Sequence, residues 1–197
     1  MNTPLSQELI NMVREDIELR SSLAGDGSLF NRYHPQMKAV HDRNAQRLEQ
    51  IIAELGWPGK SKVGDEAAHA AWLILQHAIA HPELQRKCFP LLVEQVNAGE
   101  ISPIEMAMFE DRIRCFEGRP QRFGTQFDWD EKKQMSPLPL DDKQHVEERR
   151  KKIGLRPLDE ETKVKRKEAA ESKEKPPSNY RLYVKEKEQW LKAHGWR

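Results

Sequence analysis

Three groups of residues in this 197-residue chain have types and spacing that suit chemistry. Gln76-His77 sets an amide and an imidazole at the end of a run of alanine, leucine and isoleucine. Asp111-Arg112 sets a carboxylate on an otherwise apolar helical stripe. Gly118-Arg119-Pro120-Gln121-Arg122-Phe123-Gly124-Thr125-Gln126-Phe127 is a glycine-punctuated stretch dense in guanidinium and amide groups. An imidazole polarised by a carboxylate can give or take a proton near neutral pH. Guanidinium groups hold anions through forked hydrogen bonds, and amides and hydroxyls orient what is held. These residues therefore predict one polar pocket. His77 and Asp111 are its catalytic pair, Arg112, Arg119 or Arg122 grips an anionic group, and Gln121, Thr125 and Gln126 orient the ligand. Asn44 and Gln76 are further lining candidates.

Each candidate has a plainer reading. His77 shares a helix face with Ala70, Leu73 and Ile74, so it reads as buried, and a hydrogen-bonded core histidine is the ordinary outcome. His77 and His81 have the spacing of a metal pair, but no glutamate follows His77 and Pro82 breaks the helix after His81. No metal and no cofactor are expected. Asn44 lies in the apolar face formed by Met37, Val40, Leu48, Ile51, Ile52 and Leu55, one turn after His41. A buried amide left unpaired costs ~1–3 kcal/mol, so Asn44 either pins a neighbouring helix or lines a site. Asp111 falls on a stripe with Ile104, Met108 and Cys115 and needs a partner. Arg112 points about 100° away round the helix, which leaves His77, Arg119, Arg122 or Arg20.

The elements that position these groups are mostly helices. Thr3 and Pro4 start the first, with Leu5, Leu9, Val13 and Ile17 as its apolar row; Asp16 and Arg20 beside that row read as a surface ion pair worth ~0.3–0.5 kcal/mol. The second helix spans about Pro35 to Leu55 and stops at Gly56 and Pro58. The third, about Asp65 to Ala80, is apolar nearly all round and reads as central. The fourth opens at Pro82, with a kink or break expected near Lys87 to Phe89 because of Pro90, and ends at Gly99. Ser102-Pro103-Ile104-Glu105 is a capping box that starts the fifth. Residues 117–130 form a long loop, a hairpin or an irregular crossing, anchored by Phe123, Phe127 and Trp129. Met135 to Leu140 reads as an extended spacer, and Asp142 to Ile153 as a short helix ended by Gly154. Asp159 to Lys175 reads as a solvated helix or a disordered stretch. A final helix capped by Ser178 carries Tyr180, Tyr183, Val184, Lys187, Trp190 and Leu191 on one side. The fold class is all-α: a compact bundle of about five helices, a long ordered Gly-Thr-Gln loop and a charged helical extension. The expected organisation is a core over 1–140, an extended segment and short helix over 141–160, and a charged tail over 161–197.

Composition sets limits. Residues 141–197 hold 17 basic and 12 acidic side chains and residues 1–140 hold 16 and 20, so a tail of net +5 follows a core of net −4. The start has neither a basic nor an apolar region of an export signal, and no apolar run approaches the ~20 residues of a membrane span. Cys88 and Cys115 sit at apolar helical positions and read as reduced thiols, which points to the cytoplasm. The tail carries Tyr and Trp among its lysines, but interleaved glutamates argue against nucleic acid.

The order of short motifs adds to this. Asn44 with Gly56-Trp57-Pro58, Val63-Gly64, Ala71-Trp72 with Gln76-His77-Ala78, and Gln85 come first. Ala107, Asp111-Arg112, Gly118-Arg119-Pro120-Gln121, Gly124-Thr125-Gln126, Pro137-Leu138-Pro139, Arg150 and Gly154-Leu155-Arg156-Pro157-Leu158 follow. Together they resemble a bacterial family of unknown function, domain-of-unknown-function family 6624, over about residues 44–158. A weaker echo lies at Asp16 and Arg20, and the residues after Glu160 show no likeness. The family usually has tyrosine before Gly-Thr-Gln, where this chain has Phe123. The resemblance implies a mostly helical bacterial domain and a shared role for His77, Asp111, Arg112, Gln121 and Gln126, without naming an activity.

Two functions fit the sequence. One is a pocket that binds or acts on a small polar or anionic ligand by His/Asp acid–base chemistry. The other is a non-catalytic interaction module, of immunity or adaptor type, whose polar cluster is structural and whose protein partner is met through residues 178–197.

Overall fold

A computed structural model of the chain describes residues 3–30, 33–172 and 174–197. The chain divides into two compact units, Met1–Met106 and Ala107–Arg197. Among the described residues there are nine α-helices, one short 3-10 helix and one two-stranded sheet. The all-α class holds, with more helices than the five expected. None of these helices is long and apolar enough to cross a membrane.

Unit 1 contains α1 (Thr3–Asp26), a 3-10 turn (Ser28–Phe30), α2 (Pro35–Leu55), α3 (Lys60–Val63), α4 (Asp65–His77) and α5 (Pro82–Asn97). Helices α1, α2 and α4 pack against one another in all three pairings. Leu9, Leu48, Ala71, Leu75 and Leu92 are among the residues fully removed from solvent there. On α1 the buried residues are Leu5, Leu9, Val13, Asp16 and Leu23, while Ile17 is nearly half exposed. At 100° per residue, Asp16 lies about 20° round the helix from Leu5 and Ile17 about 120° from it. The apolar row therefore turns inward at Asp16, and the reading of Asp16 as a surface residue is corrected; Arg20 is exposed.

Helix α2 has the bounds its sequence predicts, with Pro35 at the start and Gly56, at φ 70°, at the end. The α3 turn carries no signal in the sequence reading above. Its Lys62 ammonium donates to the carbonyl of Leu55, which the end of α2 leaves without a helical partner, and to that of Trp57 just beyond the helix. Helix α4 stops at His77, three residues sooner than expected, where the Ala78 N–H turns back to the Leu75 carbonyl. Helix α5 runs unbroken through Pro90. One missing N–H is tolerated there without ending the helix.

Helix α6 (Pro103–Phe116) starts in unit 1 with the expected capping box. The Ser102 N–H donates to the Glu105 carboxylate at 3.0 Å, and the Ile104 N–H donates to Ser102 Oγ at 3.2 Å. Unit 2 continues with β1 (Phe127–Trp129), β2 (Met135–Pro137), α7 (Lys143–Lys152), α8 (Leu158–Glu171) and α9 (Tyr180–Ala193). The strands are antiparallel, with Phe127 opposite Pro137 and Trp129 opposite Met135, so the expected spacer is partly strand. Asn179, rather than Ser178, caps α9 by accepting the Leu182 N–H. The α9 helix docks within unit 2: Tyr183 and Lys187 donate to Asp128 at 2.6 and 2.5 Å, and the Phe116 ring meets Trp190 and Trp196 edge-on. Leu182 and Val184 stay exposed. Both cysteines are free thiols; burial pushes Cys88 up to about 11 and, aided by the Asp111 charge, Cys115 up to about 12.

Candidate functional site

In unit 1, three helices each deliver one polar side chain to a single point: Asp16 from α1, His41 from α2 and His77 from the last turn of α4. Asp16 Oδ2 lies 2.6 Å from His77 Nδ1, and Asp16 Oδ1 lies 3.3 Å from His41 Nε2. The two imidazole centroids are 5.2 Å apart. Asp16 is 1% exposed, while the His77 side chain keeps 23% of its surface in solvent. An ionised carboxylate only accepts, so each ring nitrogen facing it carries a proton. The Tyr33 hydroxyl lies 2.8 Å from His41 Nδ1, with the rings stacked at 5.7 Å. With Nε2–H turned to Asp16, Nδ1 is the acceptor and the tyrosine donates.

The electrostatics follow from this arrangement. Burial alone would raise the Asp16 pKa, but hydrogen bonds from His41 and His77 and their charges outweigh it and hold the carboxyl well below the usual carboxylate range. Tyr33 is pushed well above its ordinary value by burial and by the Asp42 and Asp16 charges, so its hydroxyl stays protonated. One residue along α2, Asp42 accepts from His81 Nε2 at 2.9 Å and from Lys38 at 2.5 Å.

The residues singled out by sequence fall into two groups. His77 belongs to the Asp16 cluster, and its carboxylate neighbour is Asp16, where sequence had offered Asp111. It is half-buried rather than enclosed. Gln76 is buried on α4. Asn44 donates to the Met12 carbonyl at 3.3 Å and so pins α2 to α1. Gln85 does the same between α5 and α4, donating to the Leu75 carbonyl at 2.8 Å.

The second group lies in unit 2. Asp111, fully buried, accepts the backbone N–H groups of Arg122 (2.7 Å), Phe123 (3.1 Å) and Thr125 (3.0 Å) and the Thr125 hydroxyl (3.0 Å). Burial raises its pKa, and these four donors pull against that rise. Gln121, also buried, donates to the carbonyls of Gln126 and Leu138 and accepts the Gln126 N–H at 2.6 Å. Gln126 donates to the Met108 carbonyl and to Thr125 Oγ1. Arg112 is half-buried on α6. Arg119 is exposed and pairs with Glu117, and the Arg122 guanidinium pairs with Glu110 at 2.9 Å. Arg150 completes the loop from its other side, donating to the carbonyls of Phe123 (2.6 Å), Gly124 (3.1 Å) and Arg156 (2.8 Å). Asp111 thus gathers the N–H groups of the turn and Arg150 gathers its carbonyls.

Asp16, His41 and Tyr33 are the site residues that sequence reasoning passed over. For Asp16 the signal was present in the helical angle; for Tyr33 there was none. Two open grooves on unit 1, one along Leu5, Arg47 and Leu55 and one along Val13, Ile17 and His69, are not lined by Asp16, His41 or His77.

No curated protein and no solved structure matches this chain. The sequence pattern of one family does, over residues 3–173, which takes in Asp16 and all of α8 and extends well past the 44–158 span of the motif resemblance. With that match covering most of its length, the chain belongs to the family of unknown function DUF6624.

Proposed function

We propose that unit 1 carries a proton-transfer site in which His77, oriented by Asp16, acts on a small polar or anionic ligand. The observation that carries this reading is the 2.6 Å contact between a carboxylate shut off from water and an imidazole that still reaches the surface. With its Nδ1 proton committed to Asp16, the neutral ring keeps its basic lone pair on Nε2. Buried aspartates orient histidines in this way in hydrolases, fixing the tautomer and stabilising the imidazolium that forms. A thermal-shift panel of polar and anionic metabolites, run in chelator, tests it, because specific binding raises apparent stability by mass action. Stabilisation by a ligand in the wild type and its loss in His77→Ala is the expected result. A panel in which His77→Ala lowers the melting temperature of the free protein but keeps every ligand shift overturns the reading.

For unit 2 a second reading is favoured by a specific observation: the hydrogen bonds of Asp111 and Gln121 end on the loop itself. There the polar residues stitch backbone together, as the interaction-module alternative requires. The exposed Leu182 and Val184 on α9 offer that alternative a contact face.

A further inference from the structure

We propose that Asp16, His41 and His77 form a site for a divalent first-row transition-metal ion. The inference concerns the same cluster as the proton-transfer reading, with an ion in the place of the shared protons, and it does not depend on His77 transferring a proton.

The three residues bring their ligand atoms close to one point. One ligand atom from each residue lies within 4.8 Å of the others. Ligands bound at about 2.0–2.2 Å stand roughly 3–3.5 Å apart round a common ion. His41 Nε2 and Asp16 Oδ1 are already 3.3 Å apart, while the 2.6 Å contact of His77 Nδ1, made to the other Asp16 oxygen, has to open as the two imidazoles turn to a common ion. That opening falls on the most exposed of the three side chains, at the end of its helix.

Charge points the same way. Among the described residues, the ion-pair partners of Asp16 are two imidazoles, which carry charge only when protonated. A carboxylate removed from water and answered only by such groups is short of fixed positive charge. A divalent ion supplies it. Two imidazoles and one carboxylate suit zinc, manganese, iron or cobalt better than calcium, which takes six to eight oxygens.

The surroundings of His41 also fit. To bind through Nε2, the ring must carry its proton on Nδ1, and the Tyr33 oxygen 2.8 Å away is then the acceptor. Ligating histidines are regularly held by such a second contact. Three protein ligands leave a coordination position for water or for an anionic group. This set differs from the His77–His81 pair that the sequence spacing suggested; His81 is engaged by Asp42.

The test uses the full chain, stripped of metal and titrated with Zn2+ by calorimetry and with Co2+ by visible absorption, while histidine ring signals are followed by NMR. The expected result is one ion per chain, ring shifts confined to His41 and His77, and at least a tenfold loss of affinity in His41→Ala and in His77→Ala. His69→Ala, at a surface ion pair, should bind as the wild type does, and Tyr33→Phe about tenfold more weakly. Where a variant does not fold, the ring-shift map of the wild type decides by itself. Absence of stoichiometric binding, or shifts at His69, His81 or His145 in place of His41 and His77, overturns the proposal. The ligand panel run in chelator judges the proton-transfer reading separately.

Discussion

Asp16 and His77 stand 61 positions apart in the chain and meet at 2.6 Å, joining the middle of α1 to the final residue of α4. The contact serves two ends at once. It satisfies a carboxylate buried in the apolar interface of three helices, and it fixes which nitrogen of the imidazole is basic. Stability and any chemistry of unit 1 are coupled through that one pair.

Replacing Asp16 should therefore be felt in both. In Asp16→Asn the fixed charge goes, and the amide turns its NH2 donor to one of the two ring nitrogens that now donate. Removing one member of a buried pair is strongly destabilising, and the near-isosteric amide should recover part of that loss, leaving roughly 2–4 kcal/mol in urea unfolding. His77→Ala, at a half-exposed helix end, should cost less than Asp16→Asn. Ring nitrogen shifts should show His77 protonated on Nδ1 in the wild type, with that preference weakened in Asp16→Asn. An unchanged tautomer in the variant would mean that Asp16 does not orient the ring.

Acid should probe the same contact. The folded Asp16 carboxyl lies below its ordinary value of 3.8, so its contribution is fully present above that value, where both states are ionised. As the pH falls below about 4, the unfolded chain takes up a proton that the native carboxylate refuses, and the contribution fades towards the folded pKa. Below about pH 4 the stability difference between wild type and Asp16→Asn is expected to narrow steadily. Urea midpoints across that range would measure it. A gap that widens on acidification would contradict the sign.

Much of this frame was legible beforehand, and the reasons are local. Pro35, Gly56, the Ser102–Glu105 box and Asp142 declare helix ends through groups that the helix itself leaves unpaired. What escaped is non-local or lacks side-chain identity. Sequence offers Asp111 imidazole and guanidinium partners, whereas its donors are the Thr125 hydroxyl and three backbone amides, which every residue but proline carries. Sequence offers His77 the carboxylate of Asp111 in place of Asp16, because nothing in one sequence reports which helices touch. Asp16 is the exception: following the i, i+4 row to Ile17, rather than the true 3.6-residue turn, hid a buried carboxylate whose position could have been read.

The loop of unit 2 should unravel in proportion to the donors removed. Thr125→Val deletes the hydroxyl bond to Asp111 and the one the hydroxyl accepts from Gln126, and keeps the backbone bond, for an expected loss of about 1–2 kcal/mol. Asp111→Ala leaves three part-buried N–H groups without their acceptor and should cost more than Thr125→Val. Hydrogen exchange separates this from general destabilisation. The amides of Arg122, Phe123 and Thr125 should lose protection in Asp111→Ala well before those of α1 and α2.

Gly124 lies between the two residues that grip this turn, and its substitution tests backbone geometry apart from hydrogen bonding. Its φ of 66° is in the left-handed region, and a Cβ there would stand 2.9 Å from Leu158 Cδ1 and 3.2 Å from Leu140 Cδ2. Gly124→Ala should thus incur a conformational penalty of about 1 kcal/mol and a steric one of about 1–3 kcal/mol. Shortening the neighbour distinguishes them. In a Leu158→Ala background the clash with the leucine methyl groups is relieved while φ is unchanged, so Gly124→Ala should cost about 1–2 kcal/mol there and more in the parent. The two substitutions are then non-additive, with the double variant more stable than the sum of the singles implies. Strict additivity in urea unfolding would mean that the turn moves to admit the methyl group, and that Asp111 and Arg150 hold it less firmly than their five bonds to the backbone of residues 122–125 suggest.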